Sequence, residues 1–165
     1  MRTTALCLLF CAWAGTAAAS TRGPGAAPRN IQIGFGSLVS GAVGNPGVGV
    51  TLVGKPFQGL PNVYAGLDTG LFIQTTPATS FLLPVMAVAY YRFPIAVAIS
   101  PTLGVAVGGI LGLGGSARFL DFMVMLNPGF QCTITDSLDL FFRSSLGLVG
   151  AAATFYPELG VALRF

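Results

Sequence analysis

The sequence contains no histidine, which removes Ser–His and Asp–His hydrolytic arrangements and every metal site built on imidazole. Charge is scarce as well. Only 8% of residues are Asp, Glu, Lys or Arg, against about a quarter in an ordinary soluble domain. The excess of base, eight Lys and Arg against five acids, is spread too thinly for a nucleic-acid surface. Of the three cysteines, Cys7 and Cys11 lie in the first twenty residues with the only tryptophan, Trp13. The remaining thiol, Cys132, has no partner for an intramolecular disulfide. Phosphate-binding motifs are imitated without being met. "GVGVTLVGKP" spaces Gly49, Gly54 and Lys55 like a phosphate loop, but Pro56 stands where a Ser or Thr is required. "GLGGSA" at 112–117 opens no helix and reads as a loop.

What is present is apolar: 53% of residues are hydrophobic and mean hydropathy is +0.78. The opening "MRTTALCLLFCAWAGTAAAS" has a positive start, a short apolar core and small residues before a cut after Ala19, the pattern of a cleavable secretory signal peptide. Residues 20–29, "STRGPGAAPR", read as a flexible leader, and 30–165 as a single domain. Such a composition leaves two classes, a helical membrane protein or a membrane barrel.

Stretches 30–54, 69–91 and 93–117 carry no charge and are long enough to cross a bilayer as helices. Gly104, Gly108 and Gly112 even have the small-xxx-small spacing of packed membrane helices. Two features oppose this. Stretch 93–117 holds two prolines and six glycines, and the pattern there has a period of two. Val97, Ile99, Leu103, Val105 and Val107 alternate with Ala98, Ser100, Thr102, Gly104 and Ala106. Leu138, Leu140, Phe142, Leu146 and Leu148 alternate with Asp139, Phe141, Arg143, Ser145 and Gly147. Between 120 and 131, Leu120, Phe122, Val124, Leu126 and Phe130 oppose Asp121, Met123, Met125, Asn127 and Gln131. Alternation of this length is a strand signal. Asp68, Asp121, Asp139, Arg143 and Glu158 all fall on the small, polar face. A charge facing lipid at mid-bilayer costs roughly 2–4 kcal/mol if basic, so the opposite face is the one that suits lipid.

Turn signals divide the domain into eight segments, 30–40, 47–55, 62–74, 80–93, 95–108, 117–132, 137–149 and 153–165. The expected fold is an all-β, eight-stranded, antiparallel, up-and-down transmembrane β-barrel. An even strand number puts both ends on one side, with tight turns at Pro94 and Asp136 on that side. Pairing of the last hairpins brings Arg143 opposite Glu158 or Gly160 and near Asn127 or Gly129. The expected lumen polar network is therefore Asp68, Asp121, Asn127, Asp139, Arg143 and Glu158. Paired charges of this kind fill a small barrel's interior, and eight strands leave room for side chains only. Tyr90, Tyr91, Phe93, Phe119, Phe155 and Tyr156 are expected near strand ends, as interfacial aromatics. No catalytic set, metal site or cofactor is expected.

Signal peptide, eight alternating segments and the ending "ELGVALRF" together resemble the small eight-stranded outer-membrane barrels of the OmpX, OmpA-barrel and OmpW kind. In that group a terminal aromatic preceded by alternating apolar residues is the signal read by the barrel-assembly machinery. Leu159, Val161, Leu163 and Phe165 match it. The resemblance implies residence in a bacterial outer membrane, with outer-membrane lipid and the assembly machinery as partners and no enzymatic activity. It implies a structural or surface-interaction role. The alternative, on the OmpW-like pattern, is passage of small hydrophobic solutes past the inward Met86, Met123, Met125 and Phe141. The short, Gly-rich connections at 41–47 and 109–116 depart from the long polar loops of OmpX-like proteins.

Overall fold

The computed structural model describes residues 29–56, 59–75, 79–95, 99–114 and 119–165; the expected signal peptide and all of the leader except Arg29 lie outside them. Every element described is a strand, so the helical alternative falls. The order is β1 (Asn30–Ser40), β2 (Val43–Gly54), β3 (Val63–Gln74), β4 (Ser80–Arg92), β5 (Ile99–Leu113), β6 (Phe119–Thr135), β7 (Leu138–Val149) and β8 (Ala152–Arg164). Each strand pairs antiparallel with its sequence neighbours, and β8 returns to β1, closing an eight-stranded barrel. Closure removes both sheet edges, the condition for placing strands where water cannot satisfy backbone groups.

The period of two becomes two walls. Ile99, Leu103, Val105 and Val107 on β5, Leu120, Leu126 and Phe130 on β6, and Leu140, Leu146 and Leu148 on β7 stand exposed on the outer wall. Their alternates Ala106, Met123, Met125, Asn127, Asp139, Phe141 and Arg143 are buried in the lumen. The core of this protein is therefore the barrel interior, and the apolar surface points outward.

Strand limits differ from the sequence reading where turn-forming residues lie inside strands. β2 begins at Val43 because Gly41, at φ 62°, and Ala42 complete the first turn on their own. Gly44, Asn45, Pro46 and Gly47 then pair with β1 opposite Val39, Leu38, Ser37 and Gly36. Pro46 has no N–H to offer β3, and the β2–β3 ladder starts one residue later, at Gly47↔Phe72. β5 likewise continues through Gly109 and Gly112 to Leu113.

Three of the other four internal prolines interrupt a ladder; the fourth, Pro101 in β5, pairs with Phe130 in unbroken register, and the β4–β5 ladder ends beside it at Arg92↔Thr102. The β6–β7 register runs to Leu126↔Leu146 and resumes at Gly129↔Arg143, on either side of Pro128. The β8–β1 register skips from Gly36↔Glu158 to Val39↔Phe155, around Pro157. The β3–β4 register skips from Thr69↔Val85 to Phe72↔Leu82, around Pro84. In all three the alignment is unchanged across the gap, so each proline removes one ladder bond without a bulge.

Arg29, assigned to the leader by the sequence pattern, exchanges both backbone hydrogen bonds with Phe165 at 3.1 Å. The start of β1 and the end of β8 thus lie at one end of the barrel, the terminal end, together with the connections after β2, β4 and β6. The distal end carries the connections after β1, β3, β5 and β7. Two of those are two-residue turns, Gly41–Ala42 and Gly150–Ala151.

Candidate functional site

The lumen is divided along its axis. Its distal half is filled mainly by apolar side chains, among them Phe72, Leu82, Met86, Ile110, Met123 and Met125, all 5% exposed or less. The half towards the terminal end is polar, and its charges form two separate clusters.

The central cluster is built on Arg143. β7 and β8 pair in unbroken register, with Arg143 facing Glu158. Arg143 Nε donates to Glu158 Oε2 at 2.9 Å, and Nη2 also binds that oxygen. The same Nη2 reaches across the lumen to Asp68 Oδ2 on β3 at 3.1 Å and to Thr51 Oγ1 on β2 at 3.2 Å. Thr51 donates to Asp68 Oδ1 at 3.0 Å. Glu158 is 1% exposed and Asp68 3%, so both carboxylates depend on this one guanidinium for neutralisation. Glu158 lies over glycines: a Cβ added at Gly34 would overlap its carboxyl group, and one at Gly49 would lie 2.5 Å from Oε1. Beside it, the Tyr156 ring packs edge-on against Phe72, with centroids 5.1 Å apart.

The second cluster lies at the terminal mouth. Asp139, fully buried, is bridged by Arg164 at 2.9 Å and by Arg92 at 3.5 Å. Arg92 also donates to Thr133 Oγ1, and Arg164 to the carbonyl of Thr135. Charge arithmetic separates the two groups. Two acids and one base make the centre formally −1, and one acid and two bases make the mouth formally +1.

The six residues expected in one network are thus distributed over four places. Asp68, Arg143 and Glu158 meet at the centre. Asp139 belongs to the terminal cluster. Asn127 is buried on β6, with Oδ1 making no hydrogen bond. Asp121 is a correction: it is exposed at the distal rim, within 4 Å of where a Cβ on Gly150 would be. Alternation gave its face correctly, but its position along the strand takes it out of the interior. Thr51, Arg92 and Arg164 complete the clusters and were not assigned to them from sequence. Arg164 has lumen parity in "ELGVALRF", and Thr51 and Arg92 have it too, which is the signal that could have found them.

Two of the expected interfacial aromatics are also corrected. Tyr90 and Tyr156 are buried inside the barrel; Tyr90 accepts a hydrogen bond from Gln32 Nε2 at 2.9 Å and stacks on Tyr64. Tyr91 and Phe93 do stand at the outer wall near the terminal end, packed edge to face. The side chain of Phe119 lies outside the described residues. Leu159, Val161, Leu163 and Phe165 all face outward. Among the described residues no group of three His, Cys, Asp or Glu side chains is placed to hold a metal ion.

Similarity to solved structures follows this architecture. Neisserial surface protein A superposes with a TM-score of 0.66 at 15% identity, over 87% of this chain and 100% of that one. OprG of Pseudomonas aeruginosa gives 0.58 at 11% identity, over 85% and 96%. Ail, the attachment invasion locus protein of Yersinia pestis, gives 0.54 at 12% identity, over 86% and 99%. The fold is that of a small outer-membrane barrel. No family model and no curated protein matches the chain.

Proposed function

We propose that this chain is an integral outer-membrane barrel, exported through a cleaved signal peptide, with a non-enzymatic structural or surface-interaction role and a lumen closed by its own side chains. One observation carries the reading: Arg143 spans from β7 to Asp68 on β3 within an interior filled by buried side chains, apolar in the distal half and polar in the other. The apolar outer wall supports lipid as the surrounding medium. The outward row Leu159, Val161, Leu163 and Phe165 supports recognition by the barrel-assembly machinery. Refolded protein in planar bilayers is expected to give no reproducible single-channel steps, and such steps would overturn the closed-lumen reading. N-terminal sequencing of the exported protein is expected to begin at Ser20.

A second reading, passage of small hydrophobic solutes, is favoured by one feature, the apolar distal half with Met86, Met123 and Met125. It requires Met123→Cys and Met125→Cys to react with small thiol reagents from at least one side. Protection from both sides removes it.

A further inference from the structure

Charge is distributed unevenly along the barrel axis. Among the described residues, Arg29, Lys55, Arg92 and Arg164 stand at the terminal end, Arg143 at the centre, and no base at the distal end. The terminal end holds two acids, Asp136 and Asp139, so its side chains carry a formal +2. The distal rim carries only Asp121 among the described residues. Arg92 and Arg164 are committed to Asp139. Arg29 and Lys55 make no ion pair with any described residue; Lys55 lies over the Tyr64 ring, 5.5 Å from its centroid.

The two unpaired bases are neighbours on the rim. Asn30 pairs with Arg164 of β8 on one side and with Val53 of β2 on the other. Arg29 and Lys55 therefore lie within two residues of one rung, at the ends of adjacent strands. The apolar wall reaches the same edge. Ile31 pairs with Leu52 and with Leu163, an outward rung directly beside the bases. Phe165, held to Arg29 through the backbone, stands exposed there, as do Phe93, Ile95 and Ile134 around the same end. Bases bordering exposed apolar side chains suit the boundary between hydrocarbon and headgroups, where a basic stem lies on apolar surface and its charge among phosphates.

We propose that this rim is a docking surface for an anionic phospholipid in the leaflet at the terminal end, its phosphate held by Arg29 and Lys55 and its acyl chains lying on the wall at Ile31, Leu52 and Leu163. The chemistry selects the headgroup. A zwitterionic headgroup brings its own ammonium beside its phosphate and leaves the excess base uncompensated. A phosphodiester without a cation, as in phosphatidylglycerol, supplies the missing negative charge. A free phosphate makes no use of the apolar rung.

The test is electron paramagnetic resonance of spin-labelled phosphatidylglycerol and phosphatidylcholine around the full refolded chain in phosphatidylcholine bilayers. The motionally restricted fraction is expected to be larger for phosphatidylglycerol, and to fall to the phosphatidylcholine level in the double variant Arg29→Gln with Lys55→Gln. It is expected to fall likewise in 1 M sodium chloride, where the screening length is about 3 Å. Equal fractions for the two lipids in the wild-type chain overturn the surface, and so does an excess that the double variant retains. Should the double variant not refold, salt decides: an excess unchanged in 1 M sodium chloride overturns it. At moderate ionic strength, an excess abolished by sodium phosphate but kept in sodium chloride of equal ionic strength overturns the lipid as occupant in favour of a free anion. The surface rests on the outer wall's facing lipid, and the two fail differently. A wall that does not face lipid restricts neither label, whereas failure of the surface alone restricts both equally.

Discussion

Arg143 and Glu158 face each other on adjacent strands, and the same guanidinium nitrogen that meets Glu158 also meets Asp68 from the far side of the barrel. One cation therefore serves two carboxylates on strands that are not neighbours, and its removal strands both. Arg143→Met is expected to destabilise the refolded barrel by about 3–5 kcal/mol, the usual cost of leaving a buried charge unpaired. Reversible denaturant unfolding in lipid measures it. Replacing Asp68, Arg143 and Glu158 together by apolar residues of similar size is expected to cost less than Arg143→Met alone, because no buried charge is then left without a partner.

Gly49 sits beneath this cluster, where a Cβ would be 2.5 Å from Glu158 Oε1 and 2.6 Å from the Tyr156 hydroxyl. Gly49→Ala is expected to cost about 1–3 kcal/mol, the range for overpacking a filled interior. Removing the Tyr156 hydroxyl relieves half of the clash. A double-mutant cycle of Gly49→Ala with Tyr156→Phe is therefore expected to show a favourable coupling, detected as a smaller combined loss than the sum of the two. Additive losses would place the strain elsewhere.

These two predictions also mark how far the sequence could be read. Face was legible everywhere the period of two held, because each step along a strand flips the side chain to the other wall. The Arg143–Glu158 pair was legible too, since both residues sit in one hairpin and counting back from the turn aligns them. Asp68 as the second partner of Arg143 was not, because β3 and β7 meet only through the closed lumen and no pairing rule fixes that distance. Depth was equally hidden. Asp121 has the parity of an interior residue but lies at the rim, and Asp139 lies at the opposite mouth with Arg92 and Arg164. Asn45 and Pro46 were concealed for a local reason: their turn-forming character masks a strand that β1 pairs residue by residue.

The contrast between wall and rim gives a third prediction. Val105 is on the outer wall near the middle of β5 and 51% exposed. In a bilayer its replacement by Arg is expected to cost roughly 2–4 kcal/mol, as a basic charge near the midplane. Asp121→Asn, at the exposed distal rim, is expected to stay within about 0.5 kcal/mol of wild type. The same unfolding assay run on both variants checks the pair. Equal effects would mean that the outer wall does not face lipid.

Phe165 separates assembly from stability. Its backbone exchanges two hydrogen bonds with Arg29 and helps to close β8 on β1, while its side chain is 59% exposed on the outer surface. Phe165→Ser keeps the backbone bonds and removes the aromatic ring, so the finished barrel is expected to lose no more than about 1 kcal/mol. If the ring is what the assembly machinery reads, the same variant inserts markedly more slowly into bilayers carrying that machinery, yet refolds from denaturant into plain lipid at the wild-type rate. Equal slowing in both assays would assign Phe165 to the barrel's own closure instead.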